Sequence, residues 1–173
     1  LKVCESGMVV VSGAKIGVNE LSLIGISLLG FTIRAVIAFN MLPLSDVFYV
    51  TREATVALLN LQNPYQHLYR SIPPHLLTPN SEGIFPYLPF TPLYLIPFQF
   101  FTSEIRLGLA LSDAVTSYCL GKIASKAKTW IGIVMAAIYA FSPPLVLLSP
   151  VYASNFTIGI SLFAFSLLLW QQV

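Results

Sequence analysis

The sequence has 173 residues and is strongly apolar. Hydrophobic residues make up 56% of it, charged residues only 9%, and the mean hydropathy is +0.79. Soluble domains carry about 25% charged residues. The composition therefore excludes a typical soluble domain and indicates a polytopic membrane protein. The net charge of +2 is too small to indicate a nucleic-acid partner.

Four apolar segments are predicted to span the membrane as helices, because each approaches the length that a bilayer requires. They cover residues 21–42, 105–124, 129–148 and 156–172. Residues 1–20 are predicted to form a cytoplasmic tail, and residues 43–103 a long external loop that carries interfacial helices. The predicted fold class is an all-α polytopic membrane protein. Residues 1–173 form a single transmembrane domain, which we expect to be the N-terminal part of a larger one.

Residues 84–101 are apolar enough to be a fifth spanning segment, but they contain four prolines. Each proline removes a backbone donor, which a lipid-exposed helix cannot replace. If this segment does not cross, all five lysines of the chain lie on one side, as the positive-inside rule prefers. These lysines are Lys2, Lys15, Lys122, Lys126 and Lys128. We therefore predict an interfacial or re-entrant segment and a cytoplasmic N-terminus.

Arg34 and Asp113 are charged residues that lie well inside predicted spanning helices, away from the helix ends. Each lies eight residues from the predicted outer end of its helix, counted from residues 42 and 105. At a rise of about 1.5 Å per residue the two side chains reach the same depth. Intramembrane charges generally pair or line a cavity. We predict a structural ion pair rather than substrate contact.

Asp46 follows the first spanning segment and lies close to the membrane surface. A partly desolvated carboxylate suits proton transfer, so Asp46 is a candidate catalytic base. The alternative is that Ser45-Asp46 caps the interfacial helix that begins there. Glu53 shares a helical face with Asp46. It is either a second carboxylate of the site or a partner of Arg52 or Arg70.

His67, Arg70 and His75 lie in a loop rich in tyrosine and proline. They are candidates for binding a phosphate group, although solvent-exposed loop residues are the alternative. Their spacing does not match a metal-binding motif such as His-Glu-x-x-His, so no metal or other cofactor is expected.

Several short motifs together resemble the N-terminal part of GT-C-type integral membrane glycosyltransferases, in particular polyprenol-phosphate-dependent mannosyltransferases. The motifs are Ile33-Arg34; Asp46 with Tyr49, Ala54, Leu58-Leu59 and Asn63-Pro64-Tyr65; residues 87–93; Arg106-Leu107; and Ser149-Pro150 through Asn155. Two positions depart from the family pattern. Asn155 stands where many members have an acid, and Gln62 replaces a glycine.

The resemblance implies a transferase that uses a polyprenyl-phosphate-linked sugar as donor, with Asp46 as base. Arg52, Glu53, His67, Arg70, His75 and Asn155 are the candidate substrate-binding residues. The implied partners are this donor, the bilayer, and further spanning helices of the same protein or of another membrane subunit. The location would be a prokaryotic plasma membrane or the endoplasmic reticulum.

Two alternatives remain open at this point. The chain could be a non-catalytic membrane subunit or scaffold, including a truncated or degenerate glycosyltransferase. A transporter fragment would need polar residues along several helices, and the third and fourth predicted helices have few.

Overall fold

The computed structural model describes residues 8–11, 14–66, 69, 72–76 and 85–171. Within this part a short β-hairpin precedes seven α-helices, so the predicted all-α class is confirmed except at the N-terminal hairpin. The elements are β1 (Met8–Val11), β2 (Ala14–Gly17), α1 (Val18–Asn40), α2 (Asp46–Leu59), α3 (Phe90–Thr102), α4 (Arg106–Ser125), α5 (Thr129–Phe141), α6 (Pro143–Leu148) and α7 (Phe156–Trp170). Two 3₁₀ turns, Pro64–Gln66 and Pro74–Leu76, follow α2.

The N-terminal hairpin lies in the region where sequence analysis placed only a tail. Its antiparallel register pairs Met8 with Gly17 and Val11 with Ala14. Helix α1 begins directly after it at Val18 rather than at residue 21, and ends at Asn40 rather than at 42.

Only α1, among the helices in the described ranges, is both long enough and apolar enough to cross a membrane by itself. α4 has 20 residues but includes Arg106, Asp113 and Lys122. α5 and α7 are shorter apolar helices. The segment 129–148, predicted as one helix, is interrupted at Ser142. The residue before a proline disfavours the helical backbone conformation, and Ser142 accordingly has a ψ of 122° before Pro143.

Helix α4 is the centre of the bundle and packs against α1, α5 and α7. Small residues make these contacts close. A Cβ atom added to Gly30 of α1 would lie 3.0 Å from the Cβ of Ala140, and one added to Gly121 would lie 3.0 Å from that of Ala136. On α7 the buried face is formed by Thr157, Ile158, Ser161, Ala164 and Leu168.

Large apolar side chains, in contrast, cover much of the outer surface. On α7 alone, Phe156 is 81% and Phe163 65% exposed, and on α3 Phe101 is 80% exposed. Small residues between helices with large apolar residues outside are typical of helices that pack within lipid. Apolar surface on this scale is unusual for a soluble monomer.

The loop between α1 and α4 folds against one end of this bundle. α2 packs on α3, and a buried cluster joins both to α4 and α7 through Phe48, Leu95, Leu109 and Ile158. α3 begins at Phe90 and has 13 residues. This corresponds to about 20 Å of helix, well short of the roughly 30 Å hydrocarbon core.

Candidate active site at the loop end of the bundle

Asp46 is the first residue of α2, and the helix cap is its neighbour. The backbone N–H of Val47 donates to Ser45 Oγ at 3.2 Å and to Asp46 Oδ1 at 2.8 Å. Ser45 has the extended backbone of an N-cap residue. The capping alternative for Asp46 is therefore corrected: Ser45 is the cap, and Asp46 adds a negative charge in the first turn, where the helix dipole favours it. Its Oδ2 atom accepts no hydrogen bond from the described residues.

Tyr87 lies close enough to Asp46 for the carboxylate charge to affect the pKa of the phenol. Burial raises the pKa of the Tyr87 phenol above its usual value, and the Asp46 carboxylate raises it further. Both causes raise the pKa of Tyr87, because each disfavours the charged phenolate form. Tyr87 thus keeps its proton at neutral pH and can donate a hydrogen bond.

A cavity of about 580 Å³, here called the loop groove, opens beside these residues. It lies between the start of α2, the segment before α3 and the segment before α7. Its lining residues are Val47, Pro86, Tyr87, Leu88, Thr91, Leu148, Tyr152, Ser154, Asn155 and Phe156. The segment before α2 and the segment before α7 are joined by a hydrogen bond, in which the Leu44 N–H donates to the Val151 carbonyl at 2.9 Å.

Asn155 lines the groove and carries a buried amide oxygen. Its Nδ2 donates to Thr51 Oγ1 of α2 at 3.2 Å, which fixes the amide, whereas its Oδ1 is buried and accepts no hydrogen bond from the described residues. A buried acceptor without a donor costs about 1–3 kcal/mol. Because Oδ1 has almost no exposed surface, a ligand in the groove would reach it only if the amide moved.

A second cavity, the α3/α7 groove, continues from the loop groove along the outer surface. It has a volume of about 610 Å³ and shares Leu88, Thr91, Asn155 and Phe156 with the first. Beyond these four it is lined by Phe90, Ile158, Gly159, Ile160, Leu162 and Phe163. A groove that has some polar lining residues therefore runs into one that is almost wholly apolar.

Of the remaining predicted substrate-binding residues, Arg52, Glu53 and His75 do not line this groove. Arg52 and His75 are exposed. Glu53 is half-buried near Tyr69, whose pKa is raised to about 12, first by burial and then by the charge of Glu53. His67 and Arg70 lie outside the described residues. None of the described side chains that line the loop groove is cationic.

The structure brings Arg34 and Asp113 together, 1% and 2% exposed respectively. Arg34 Nε donates to Asp113 Oδ2 at 3.1 Å, and the Tyr139 hydroxyl donates to Oδ1 at 2.9 Å. The Arg34 guanidinium also donates to the carbonyls of Gly30 and Ala140. Both charged groups therefore have several hydrogen-bond partners, which is typical of a structural ion pair. The pair joins α1, α4 and α5.

Sequence reasoning missed a second buried cation at the loop end, Arg106. Its guanidinium donates to both carboxylate oxygens of Glu104, at 2.8 and 2.7 Å. It also donates to the carbonyls of Ala38, Met41 and Pro150 and lies 5.0 Å from the centroid of the Phe48 ring. The available signal was a Glu-x-Arg sequence at the start of a helix.

Within the described ranges no group of three or more His, Cys, Asp or Glu side chains is arranged to hold a metal ion. Comparisons with protein-family models, curated proteins and solved structures find no match for this chain. Its function must therefore be argued from the site itself.

Proposed function

We propose that this chain is part of a GT-C-type membrane glycosyltransferase, in which Asp46 is the general base. The enzyme would transfer a sugar from a polyprenyl phosphate to an acceptor hydroxyl at the external membrane surface. The observation that carries the proposal is the position of Asp46 next to Val47 and near Tyr87, which both line the loop groove, with one carboxylate oxygen that accepts no hydrogen bond from the described residues.

The grooves suit a ligand with a polar head and a long apolar tail. The loop groove is lined by the Tyr87 phenol and the Asn155 amide, both groups of a kind that hydrogen-bonds sugar hydroxyls. The adjoining α3/α7 groove is almost wholly apolar, as a polyprenyl chain would require. In this arrangement Asn155 binds sugar or acceptor, in place of the acid that many relatives of the resembling family carry.

The proposed reaction is a single displacement with inversion. The Asp46 carboxylate takes the proton of the acceptor hydroxyl as its oxygen attacks the anomeric carbon. The bond between this carbon and the phosphate oxygen breaks, and polyprenyl phosphate leaves with the bonding electrons. Arg70, with Arg52 or His67, would stabilise the leaving phosphate.

The distribution of side chains supports a membrane location with several helices in lipid. The exposed apolar residues of α3, α5 and α7 would face hydrocarbon rather than water. α5 and α6 together cover 129–148, about 30 Å of helix. Under this proposal the N-terminus is cytoplasmic and the loop groove is external.

The test is Asp46→Asn in the full-length protein. Asparagine keeps the shape and much of the interaction with the Val47 N–H but cannot accept a proton at neutral pH. We expect normal expression and a loss of sugar transfer of at least about two orders of magnitude, measured with a radiolabelled polyprenyl-phosphate sugar in membranes.

The matched control is Ser45→Ala, which removes the helix cap but not the carboxylate. It should destabilise the protein by about 1 kcal/mol and leave the transfer rate per folded molecule unchanged. Transfer that survives in Asp46→Asn would exclude Asp46 as base. Asp46 would then be a structural residue, whose Oδ1 accepts a hydrogen bond from the Val47 N–H at the start of its own helix.

A further inference from the structure

A third cavity lies far from the loop groove, at the side of the bundle where α1, α4 and α7 meet. It has a volume of about 400 Å³ and a lining almost without polar surface. Its walls include Ile24 and Leu28 of α1, Val115 and Cys119 of α4, and Phe165 and Leu168 of α7. The small Ala114 and Ser27 form part of its lining, which leaves room for a slender apolar chain.

Polar and basic groups cluster at one end of this cavity. Glu20 lies one turn before Ile24, and Lys122 lies one turn after Tyr118. The Tyr118 hydroxyl and Lys122 Nζ both donate to Glu20 Oε1, at 2.9 and 3.1 Å. Lys126 Nζ donates to the Gln171 carbonyl at the end of α7.

The charge at this end is positive overall. Glu20 offsets one of the two lysines, and both Lys122 and Lys126 retain ammonium donors beyond the single bond that each makes. The lysines are respectively half-buried and exposed. They can thus reach a bound anion without losing their protein partners.

We propose that this cavity binds an anionic phospholipid from the cytoplasmic leaflet, with one acyl chain in the cavity and its phosphate at Lys122 and Lys126. The inference rests on the membrane placement proposed above, although not on the glycosyltransferase activity. An apolar cavity between helices with lysines at its mouth is the arrangement by which membrane proteins select anionic headgroups. A neutral lipid would fill the cavity equally well but would gain nothing from the lysines.

The test uses tryptophan quenching by brominated lipids in nanodiscs. Both native tryptophans are replaced (Trp130→Phe and Trp170→Phe), and Phe165→Trp, a conservative change, then reports from the cavity wall. The probe lipids are phosphatidylglycerol and phosphatidylcholine with dibrominated acyl chains, each at the same mole fraction in unlabelled phosphatidylcholine. We expect phosphatidylglycerol to quench at a lower mole fraction, by roughly fivefold for each lysine.

Lys122→Gln with Lys126→Gln should abolish this preference, whereas Lys128→Gln, an exposed lysine outside the cavity, should leave it intact. Val134→Trp, on the outer face of α5, serves as the reference position in lipid. Quenching at 165 that is equal for the two lipids, or a preference that survives the double variant, overturns the proposal.

Val134→Trp distinguishes a failure of the lipid-site proposal from a failure of the proposed membrane placement. Quenching at 134 without quenching at 165 counts against the cavity site alone. Absence of quenching at both positions counts against insertion of the bundle in lipid, on which both proposals depend. Circular dichroism and size-exclusion elution of each variant confirm that it is folded.

Discussion

The Arg34–Asp113 ion pair shows how much of a buried contact residue spacing can predict. Their equal distance from the predicted helix ends was enough to indicate that they would meet, although both helix ends were wrong by a residue or more. A depth argument tolerates such errors because the Arg34 side chain is long and flexible. It could not indicate that Tyr139 and the Ala140 carbonyl complete the site, since these lie on a third helix whose rotation the spacing does not fix.

Replacing one member of the Arg34–Asp113 pair should reduce the stability of the protein more than replacing both. Arg34→Leu or Asp113→Leu leaves one buried charge unpaired and should destabilise the protein by about 3–5 kcal/mol, whereas the double change leaves none. Unfolding of the detergent-solubilised variants should therefore show the double variant to be more stable than either single one.

The Glu20–Lys122 pair is the matched control, because it joins the same two helices at 37% and 33% exposure. Its double-mutant cycle should give a coupling below about 1 kcal/mol. A double Leu variant at 34 and 113 that is no better than the worse single variant would contradict a structural role for the buried pair.

At the scale of elements, local chemistry explains where prediction succeeded and where it failed. The prolines of 84–101 predicted that this segment does not cross the membrane, and α3, which begins at Phe90, has only 13 residues. The segment 129–148 was predicted as one helix, yet Pro143-Pro144 divides it into α5 and α6. α2 ends at Leu59, and Leu61 has a positive φ of 56° before Asn63-Pro64 is reached. The hairpin before α1 has no strong alternating pattern that would have revealed it.

Arg106 should be essential to the junction of these elements. It supplies donors to the Ala38 and Met41 carbonyls at the end of α1, to the Pro150 carbonyl after α6, and to Glu104. Arg106→Met keeps much of the apolar stem but removes the donors to these carbonyls, and leaves Glu104 with the backbone N–H of residue 106 in place of the guanidinium. We expect a loss of stability of about 3–5 kcal/mol.

The comparison for Arg106→Met is Arg52→Met, which removes an exposed arginine from α2. Exposed substitutions of this kind usually change stability by less than about 0.5 kcal/mol. Thermal unfolding of both variants in the same detergent provides the measurement. Equal midpoints would mean that the Arg106 contacts add nothing to the packing of α1, α2 and α4.

For the molecule as a whole, the bundle has two chemically different ends. The loop groove, Asp46 and the Arg106–Glu104 pair lie at one end, whereas Lys122 and Lys126 lie at the other, separated by most of the length of α4. Composition predicted the membrane class, and lysine placement predicted which end is cytoplasmic. Neither could predict the grooves, because these depend on how the loop helices pack against α4 and α7.

This orientation can be measured by cysteine labelling in vesicles of known sidedness. With Cys4 and Cys119 replaced, Lys126→Cys and His75→Cys introduce thiols at exposed positions at the two ends. An impermeant maleimide added to right-side-out vesicles should label position 75 and not position 126 until the membrane is permeabilised. The reason is the positive-inside rule, which places Lys122, Lys126 and Lys128 with the N-terminus.

Two further positions test whether the ends belong to the bundle seen here. Trp170→Cys should label with position 126, because Lys126 Nζ reaches the adjacent Gln171 carbonyl. Ser154→Cys, in the loop groove, should label with position 75. If positions 126 and 75 react from the same side, residues 84–101 must cross the membrane after all. The loop groove and the lysines would then share a compartment, and an external sugar-transfer site with a cytoplasmic lipid site would no longer be tenable.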